Sequence, residues 1–147
     1  MTDAYEISTD HARLDIAAIH AYLTRSYWSP GIPLEIVERA VRHSLCFGVF
    51  ETASRAQVGF TRVVTDYATF AYLCDVYVLE EHRGHGIGKR MMREVMTHPA
   101  LTDARRVMLA TRDAHGLYRQ VGFVQAGGAG NLMEIVRPDI YSRANIN

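Results

Sequence analysis

The chain has 147 residues, of which 48% are hydrophobic and 22% charged, as is ordinary for one globular domain. Sixteen basic residues balance sixteen acidic ones, so no overall charge favours nucleic acid or an anionic membrane as a partner. The first ten residues lack the basic start and apolar centre of a signal peptide, and no apolar run approaches the ~20 residues needed to cross a bilayer. We therefore expect one cytoplasmic domain over residues 1–147 that binds neither nucleic acid nor membrane.

The first half of the chain predicts two helices and then a run of strands. After a short strand at residues 5–9, Thr9 or Asp10 is expected to cap a helix whose apolar residues recur at helical spacing. Two prolines and a glycine at residues 29–33 end that helix, and a second helix follows at 34–44. The alternating and β-branched stretches after it predict strands at residues 45–50, 58–64 and 70–79.

The second half predicts a longer amphipathic helix and a return to strands. The helix begins after a glycine-rich turn, carries an apolar stripe from Ile87 to Met96, and ends at Pro99. The remaining predicted elements are a strand at residues 106–111, a short helix at 114–120, and two last strands near Val124 and at 132–136. This order, with antiparallel hairpins in the middle, predicts an α/β (mixed α+β) fold with a central mixed sheet flanked by helices.

The glycine-rich turn at residues 83–89 is the most informative segment. Glycines at three alternating positions leave the backbone N–H groups at the helix start uncovered. The helix dipole adds partial positive charge there, so the turn suits a phosphate or pyrophosphate. Arg83 and Lys89 can add full charges to the same site.

Two well-known phosphate-binding motifs fail on spacing at this turn. A dinucleotide-binding fingerprint needs a third glycine three residues after the second, where this chain has Lys89. A P-loop needs Ser or Thr after its Gly-Lys pair, and this chain has Arg90.

The turn instead resembles the coenzyme A signature of the GNAT family of N-acetyltransferases, Arg/Gln-x-x-Gly-x-Gly/Ala. Arg83, Gly86 and Gly88 match that signature in the same strand-to-helix setting. A second stretch, Gly-Leu-Tyr-Arg-Gln-Val-Gly-Phe at residues 116–123, is similar to the family's Leu-Tyr-x-x-x-Gly-Phe block. With the preceding strands, the resemblance covers most of the chain.

The resemblance implies a GNAT-like sheet that splays between its fourth and fifth strands to receive acetyl-CoA as cosubstrate. Backbone amides of the turn would hold the coenzyme's pyrophosphate, and the end of the strand at 70–79 would pair with its pantetheine arm. The cofactor-binding residues so implied are Val76, Tyr77, Val78, Arg83, Gly84, His85, Gly86, Ile87, Gly88, Lys89 and Tyr118. We expect no metal, since the histidines are scattered and His82 and His85 lack a third ligand.

Acetyl transfer to an amine needs a neutral amine, a donor for the developing oxyanion, and a proton for the leaving thiolate. By resemblance Tyr118 is the proton donor, and the backbone N–H of Val76 is the candidate oxyanion donor. Asp75 is the candidate catalytic carboxylate, either as a base through a water relay, as a binder of a cationic acceptor, or as a structural hydrogen-bonding group. Polyamine acetyltransferases of the family have an acidic pair here, and Cys74 replaces its first member.

The acceptor and the wider role stay open from the sequence. A small-molecule or peptide amine fits the predicted reaction, and Tyr27 and Trp28 could form either an aromatic wall for it or part of the core. A non-catalytic acyl-CoA sensor and a nucleotide-binding regulatory domain are the alternatives of other classes. The oligomeric state, a homodimer included, is also open, whereas Cys46 and Cys74 are expected to be free thiols.

Overall fold

Apolar strands in the middle of the chain pair with their sequence neighbours to form one mixed sheet. The computed structural model describes residues 3–127 and 130–144. Within them the sheet has the order β1-β2-β3-β4-β5, in which β1 to β4 pair antiparallel and β5 runs parallel to β4. The strands are β1 (Tyr5–Ser8), β2 (Leu45–Glu51), β3 (Gln57–Thr65), β4 (Phe70–Val78) and β5 (Arg106–Leu109). The mixed sheet predicted from the sequence is thus confirmed.

Helices cover both faces of this sheet and bury two apolar cores against it. They are α1 (Ile16–Leu23), α2 (Leu34–Arg42), α3 (Ile87–Thr97), α4 (Pro99–Thr102), α5 (His115–Arg119) and α6 (Ile140–Ala144). One core joins α1 and α2 to Phe60 and Tyr77. The other joins α3 to Leu73 and to residues of β2 and β3. None of the helices described is long and apolar enough to span a membrane.

The ends of two helices differ from the sequence-based expectation. Asp15, whose side chain accepts from the Ala18 N–H, caps α1, whereas Asp10 caps a separate 3-10 turn at His11–Arg13. Pro99 lies beyond the end of α3 and begins α4, because the ring of proline is tolerated in a first helical turn.

The prediction of two strands, one near Val124 and one at residues 132–136, is wrong. These residues have no regular secondary structure and stay exposed, Val124 by 84% and Met133 by 95% of the accessible surface. An apolar run forms a strand only where another strand can pair with its backbone and its side chains can be buried. Neither condition is met at these residues in the described structure. The predicted loop between the two strands falls partly on residues 128–129, which lie outside the described part of the chain.

A bulge interrupts β4 on its β3 side. Asp75 and Val76 together face Thr61 alone, with regular pairs on either side of them. Asp75 has a φ of 56°, a left-handed conformation that few residues other than glycine adopt. A bulge of this kind bends a strand and re-aims the groups around it.

On its other side β4 separates from β5 partway along. The parallel pairing runs from Phe70 to Leu73 and ends where Leu73 meets Leu109. No described strand pairs with residues 74–78 on that side, so their backbone groups face an open gap. The predicted splay between the fourth and fifth strands is confirmed.

Helix α3 should depend on its buried face for stability. Met91 is fully buried between α3 and the sheet, so Met91→Ala should lower the free energy of unfolding by about 2–5 kcal/mol. Arg93→Ala, on the exposed face of the same helix, should change it by less than about 0.5 kcal/mol. Urea denaturation followed by circular dichroism measures both, and equal losses would mean that α3 does not pack as described.

Candidate active site

The gap between β4 and β5 opens into a cleft of about 1070 Å³. Its walls include residues 72–78 of β4, most of the glycine-rich turn, residues 109–114 from the end of β5 onward, and one face of α5. Every site residue predicted from the sequence lines this cleft except His85. The exposed His85 ring lies 6.2 Å from the ring of Tyr5 instead. The structure therefore places residues of both matched motifs in the lining of one space.

The glycine-rich turn presents the start of α3 without a side-chain cap. Gly84 and Gly86 have φ values of 86° and 74°, and Gly86 is the N-cap residue of the helix. A Cβ added to either would have no atom within 4 Å, so conformation rather than crowding calls for glycine here. The N–H groups of the first turn, left without a capping side chain, point toward any anion that reaches the cleft.

Side chains near the turn are partly committed to other partners. Arg83 donates from Nε to the carbonyl of Val78 at 3.0 Å and from Nη2 to the Tyr22 hydroxyl at 3.1 Å. Glu80 pairs with Arg25 at 3.0 Å. The backbone amides are thus the groups left available for an anion, with Lys89 as the cation that forms no ion pair within the described residues.

Asp75 is a buried carboxylate with two donors. Arg62 donates from Nε to Oδ2 at 2.7 Å, and Trp28 donates from Nε1 to Oδ1 at 3.1 Å. The Asp75 side chain is only 9% exposed, so burial without such partners would be costly. A structural hydrogen-bonding role for Asp75 was one of the alternatives left open by the sequence, which did not identify its partners. The available signal was Arg62 itself, a charged residue inside an apolar strand.

Arg62 is held as firmly as its partner. It donates from Nη1 to the Ser44 hydroxyl at 3.1 Å, and that hydroxyl donates to the carbonyl of Ala40 at 2.7 Å. Burial alone would lower the pKa of Arg62, but the attraction of Asp75 and the nearby Cys74 outweighs it and raises that pKa. The guanidinium therefore stays charged.

Aromatic rings form a continuous wall on the α1–α2 side of the cleft. Tyr22 stacks on Tyr77 at 3.9 Å between ring centroids and lies 6.2 Å from Trp28, which meets Tyr27 edge-on at 5.1 Å. The guanidinium of Arg112 lies 3.8 Å above the Tyr27 ring and so reaches across from the loop after β5. We call Tyr22, Tyr27 and Trp28 the aromatic wall.

Tyr118 projects from α5 into the cleft and is 8% exposed. Its ring packs edge-on against Phe123 at 5.9 Å. Burial, followed by the nearby Tyr27 and Asp113, raises the pKa of Tyr118 above the usual value of about 10. No residue in the described ranges hydrogen-bonds its hydroxyl. The phenol therefore keeps its proton at neutral and mildly alkaline pH and is available to a ligand.

The two cysteines are free, as predicted. Burial raises the pKa of both Cys46 and Cys74 to about 12, so neither forms a thiolate nucleophile near neutral pH. Within residues 3–127 and 130–144, no group of three His, Cys, Asp or Glu side chains could hold a metal ion.

Similarity to known proteins agrees with this arrangement. A family model described as "Acetyltransferase (GNAT) domain" matches residues 43–125. A protein of Gibberella zeae, named an acetyltransferase by inference, is 36% identical over 135 residues, which cover 78% of this chain and 75% of that protein.

Solved structures show the same likeness over nearly the whole chain. A crystal structure from Xanthomonas campestris pv. campestris, described as an inferred acetyltransferase of the GNAT family, is 50% identical with a TM-score of 0.91 and covers 97% of this chain and 99% of that one. Glucosamine-6-phosphate N-acetyltransferase from Arabidopsis thaliana is 15% identical with a TM-score of 0.65, and covers 90% and 98% of the two chains. This second likeness concerns the fold alone.

Proposed function

Because the chain belongs to the GNAT acetyltransferase family, we propose that it transfers the acetyl group of acetyl-CoA to the nitrogen of an amine acceptor. The observation that carries this proposal is the single cleft that joins an uncapped helix start, an unpaired strand edge and the hydroxyl of Tyr118. In this proposal the helix start is the pyrophosphate site, the strand edge is the site for an extended amide chain, and the hydroxyl is the proton donor.

The coenzyme would bind along the cleft from the turn to the bulge. The amides of residues 84–88 would receive the pyrophosphate, with Lys89 adding a charge, because an uncapped helix start offers N–H groups and a positive dipole. The pantetheine arm carries amide groups, and β4 offers it unpaired ladder groups at residues 76–78. Backbone groups that a ligand covers need hydrogen-bond partners in place of water, and the amides of the arm can supply them.

The reaction is the exchange of a thioester for an amide. The neutral amine nitrogen attacks the carbonyl carbon, and the oxyanion that forms would be stabilised by the N–H of Val76 at the bulge. The carbon–sulfur bond then breaks, and the departing thiolate takes the proton of the Tyr118 hydroxyl. The tyrosinate regains a proton from solvent, and the new amide nitrogen loses its extra proton to water.

The acceptor would reach the thioester beside the aromatic wall. Tyr27 is 50% exposed and Trp28 37%, so both present ring surface to a ligand. The acceptor is a small-molecule or peptide amine, which a panel of such amines with acetyl-CoA would identify through the release of free coenzyme A thiol. Tight acetyl-CoA binding without thiol release from any amine would support a binding module in place of an enzyme. Preferential stabilisation by ATP or NAD in a thermal-shift assay would contradict the coenzyme site.

Gly86→Asp should remove coenzyme binding while leaving the fold intact. The added carboxylate would stand where the pyrophosphate is placed, and repulsion between like charges at close range should weaken binding by at least about 100-fold, or about 2.7 kcal/mol. Isothermal titration with acetyl-CoA measures this.

The matched control for that variant is Gly31→Asp, because Gly31 also has a φ of 74° and open space around it. Its backbone strain should equal that of Gly86→Asp, but it does not line the cleft. An unchanged dissociation constant for Gly86→Asp, or an equal loss in the control, would show that the turn does not hold the pyrophosphate.

Tyr118→Phe should lower kcat and kcat/KM together by about 10²-fold, because a general acid acts mainly in the transition state. Acetyl-CoA affinity should barely change, since one hydroxyl and little volume are lost. In the wild type the rate should rise with pH as the acceptor loses its proton. It should fall only where Tyr118 loses its own, above pH 10 because burial raises that pKa.

Steady-state turnover between pH 6 and 10 tests this, with Tyr72→Phe as the control that removes a hydroxyl from another tyrosine lining the cleft. Activity of Tyr118→Phe within about twofold of wild type at every pH, with chemistry rate-limiting, would reduce Tyr118 to a packing residue.

A further inference from the structure

The backbone of Asp75 is held in a conformation that needs support. Its φ of 56° lies in the left-handed region, which residues with a Cβ adopt uncommonly, Asp, Asn and His more often than the others. Such a conformation persists only where the surroundings fix it. At this bulge the surroundings act on the Asp75 side chain, through the donors Arg62 and Trp28.

Those two donors tie together segments that are far apart in sequence. Arg62 belongs to β3 and is itself anchored through Ser44 to the carbonyl of Ala40 near the end of α2. Trp28 lies between α1 and α2 and belongs to the aromatic wall. The carboxylate of Asp75 therefore joins the bulge, the helix layer and the aromatic wall in one network, which we call the Asp75 clamp.

The same contacts occupy both carboxylate oxygens of Asp75, because Oδ2 accepts from Arg62 and Oδ1 accepts from Trp28. The clamp also compensates the negative charge, so little of it is left to bind an acceptor ammonium. The other titratable groups that interact with Asp75 are Cys46, Tyr72, Cys74 and Tyr77, and none of these is a cation.

We propose that Asp75 is a positioning residue: through Arg62 and Trp28 it holds the bulge that directs the N–H of Val76 into the cleft and fixes the aromatic wall beside it. This inference rests on the proposed acetyl transfer. It assigns a part in the rate of reaction to Arg62, which does not line the cleft, and to Trp28, which does.

Two substitutions of Asp75 separate positioning from proton transfer. Asp75→Asn keeps the tolerance for positive φ and one carbonyl oxygen that can accept from one of the two clamp donors, but it cannot act as a base. We expect kcat within about tenfold of wild type and an unchanged shape of the pH profile. Asp75→Ala loses both features, and we expect kcat to fall by about 100-fold with little change in acetyl-CoA affinity. Loss of 10²–10⁴-fold in both variants, with the acidic limb of the profile abolished, would assign Asp75 as the base and overturn the inference.

Arg62 gives an independent test, because a guanidinium cannot serve as the base. Arg62→Gln should lower kcat about as much as Asp75→Ala, and the double variant should lose little more than either single variant, since both break one network. Additive losses, or an Arg62→Gln enzyme with wild-type kcat, would contradict the clamp. If Asp75→Ala does not fold, the single variants Asp75→Asn and Trp28→Phe, the second of which is a small change in volume, are measured in its place.

The fluorescence of Trp28 reports on the clamp without any reaction, because the chain has a single tryptophan. Quenching by acrylamide should be at least about twofold stronger than in the wild type in Asp75→Ala and Arg62→Gln, and weaker in Asp75→Asn than in Asp75→Ala. Unchanged quenching in all three would overturn the clamp whatever the kinetics show. If the variants show this quenching pattern but the wild-type protein releases no thiol with any amine, the proposed function itself is contradicted, and with it the positioning role.

Discussion

The site depends on the point at which β4 stops pairing with β5. Parallel pairing ends at Leu73 and Leu109, and just beyond it the bulge at Asp75 and Val76 bends β4 on its opposite side. β4 is therefore irregular on both sides at the same level. On the β5 side, its last residues offer backbone groups to a gap instead of to a neighbouring strand. The gap lies between the start of α3 and α5, so the amides of one helix and the hydroxyl of the other face the same space.

The two ends of that space differ in how charge is handled. Where we propose that the coenzyme binds, the amides at the start of α3 have no capping side chain, and Arg83 already donates to Val78 and Tyr22. Where we propose that the acceptor binds, Arg62 and Asp75 form a buried ion pair beside the aromatic wall. An amine must be uncharged to attack, and the Asp75 carboxylate is already paired with Arg62.

The parts of the site that were predictable are those with short-range signals. The glycines at the start of α3 and the block around Tyr118 are local patterns, and the splay followed from resemblance to a family. Arg62 was missed because its role arises only when β3 and β4 pair, which no spacing along one strand reveals. The prediction of strands near Val124 and at residues 132–136 is wrong for a related reason. An apolar pattern indicates a preference for burial, but it does not show whether another strand is present to pair with. The proton-transfer and binding roles of the site residues stay predictions.

A crystal structure of the protein with coenzyme A tests the central claim most directly. The account predicts pyrophosphate oxygens about 3 Å from the amides of residues 84–88, the pantetheine arm in the gap beside residues 76–78, and the sulfur next to the Tyr118 hydroxyl. A second cleft of about 780 Å³, lined by β5, α5 and residues 121–127, shares Tyr118 but none of the turn. Coenzyme A bound in that second cleft, or a continuous β4–β5 pairing with the gap closed, would contradict the account.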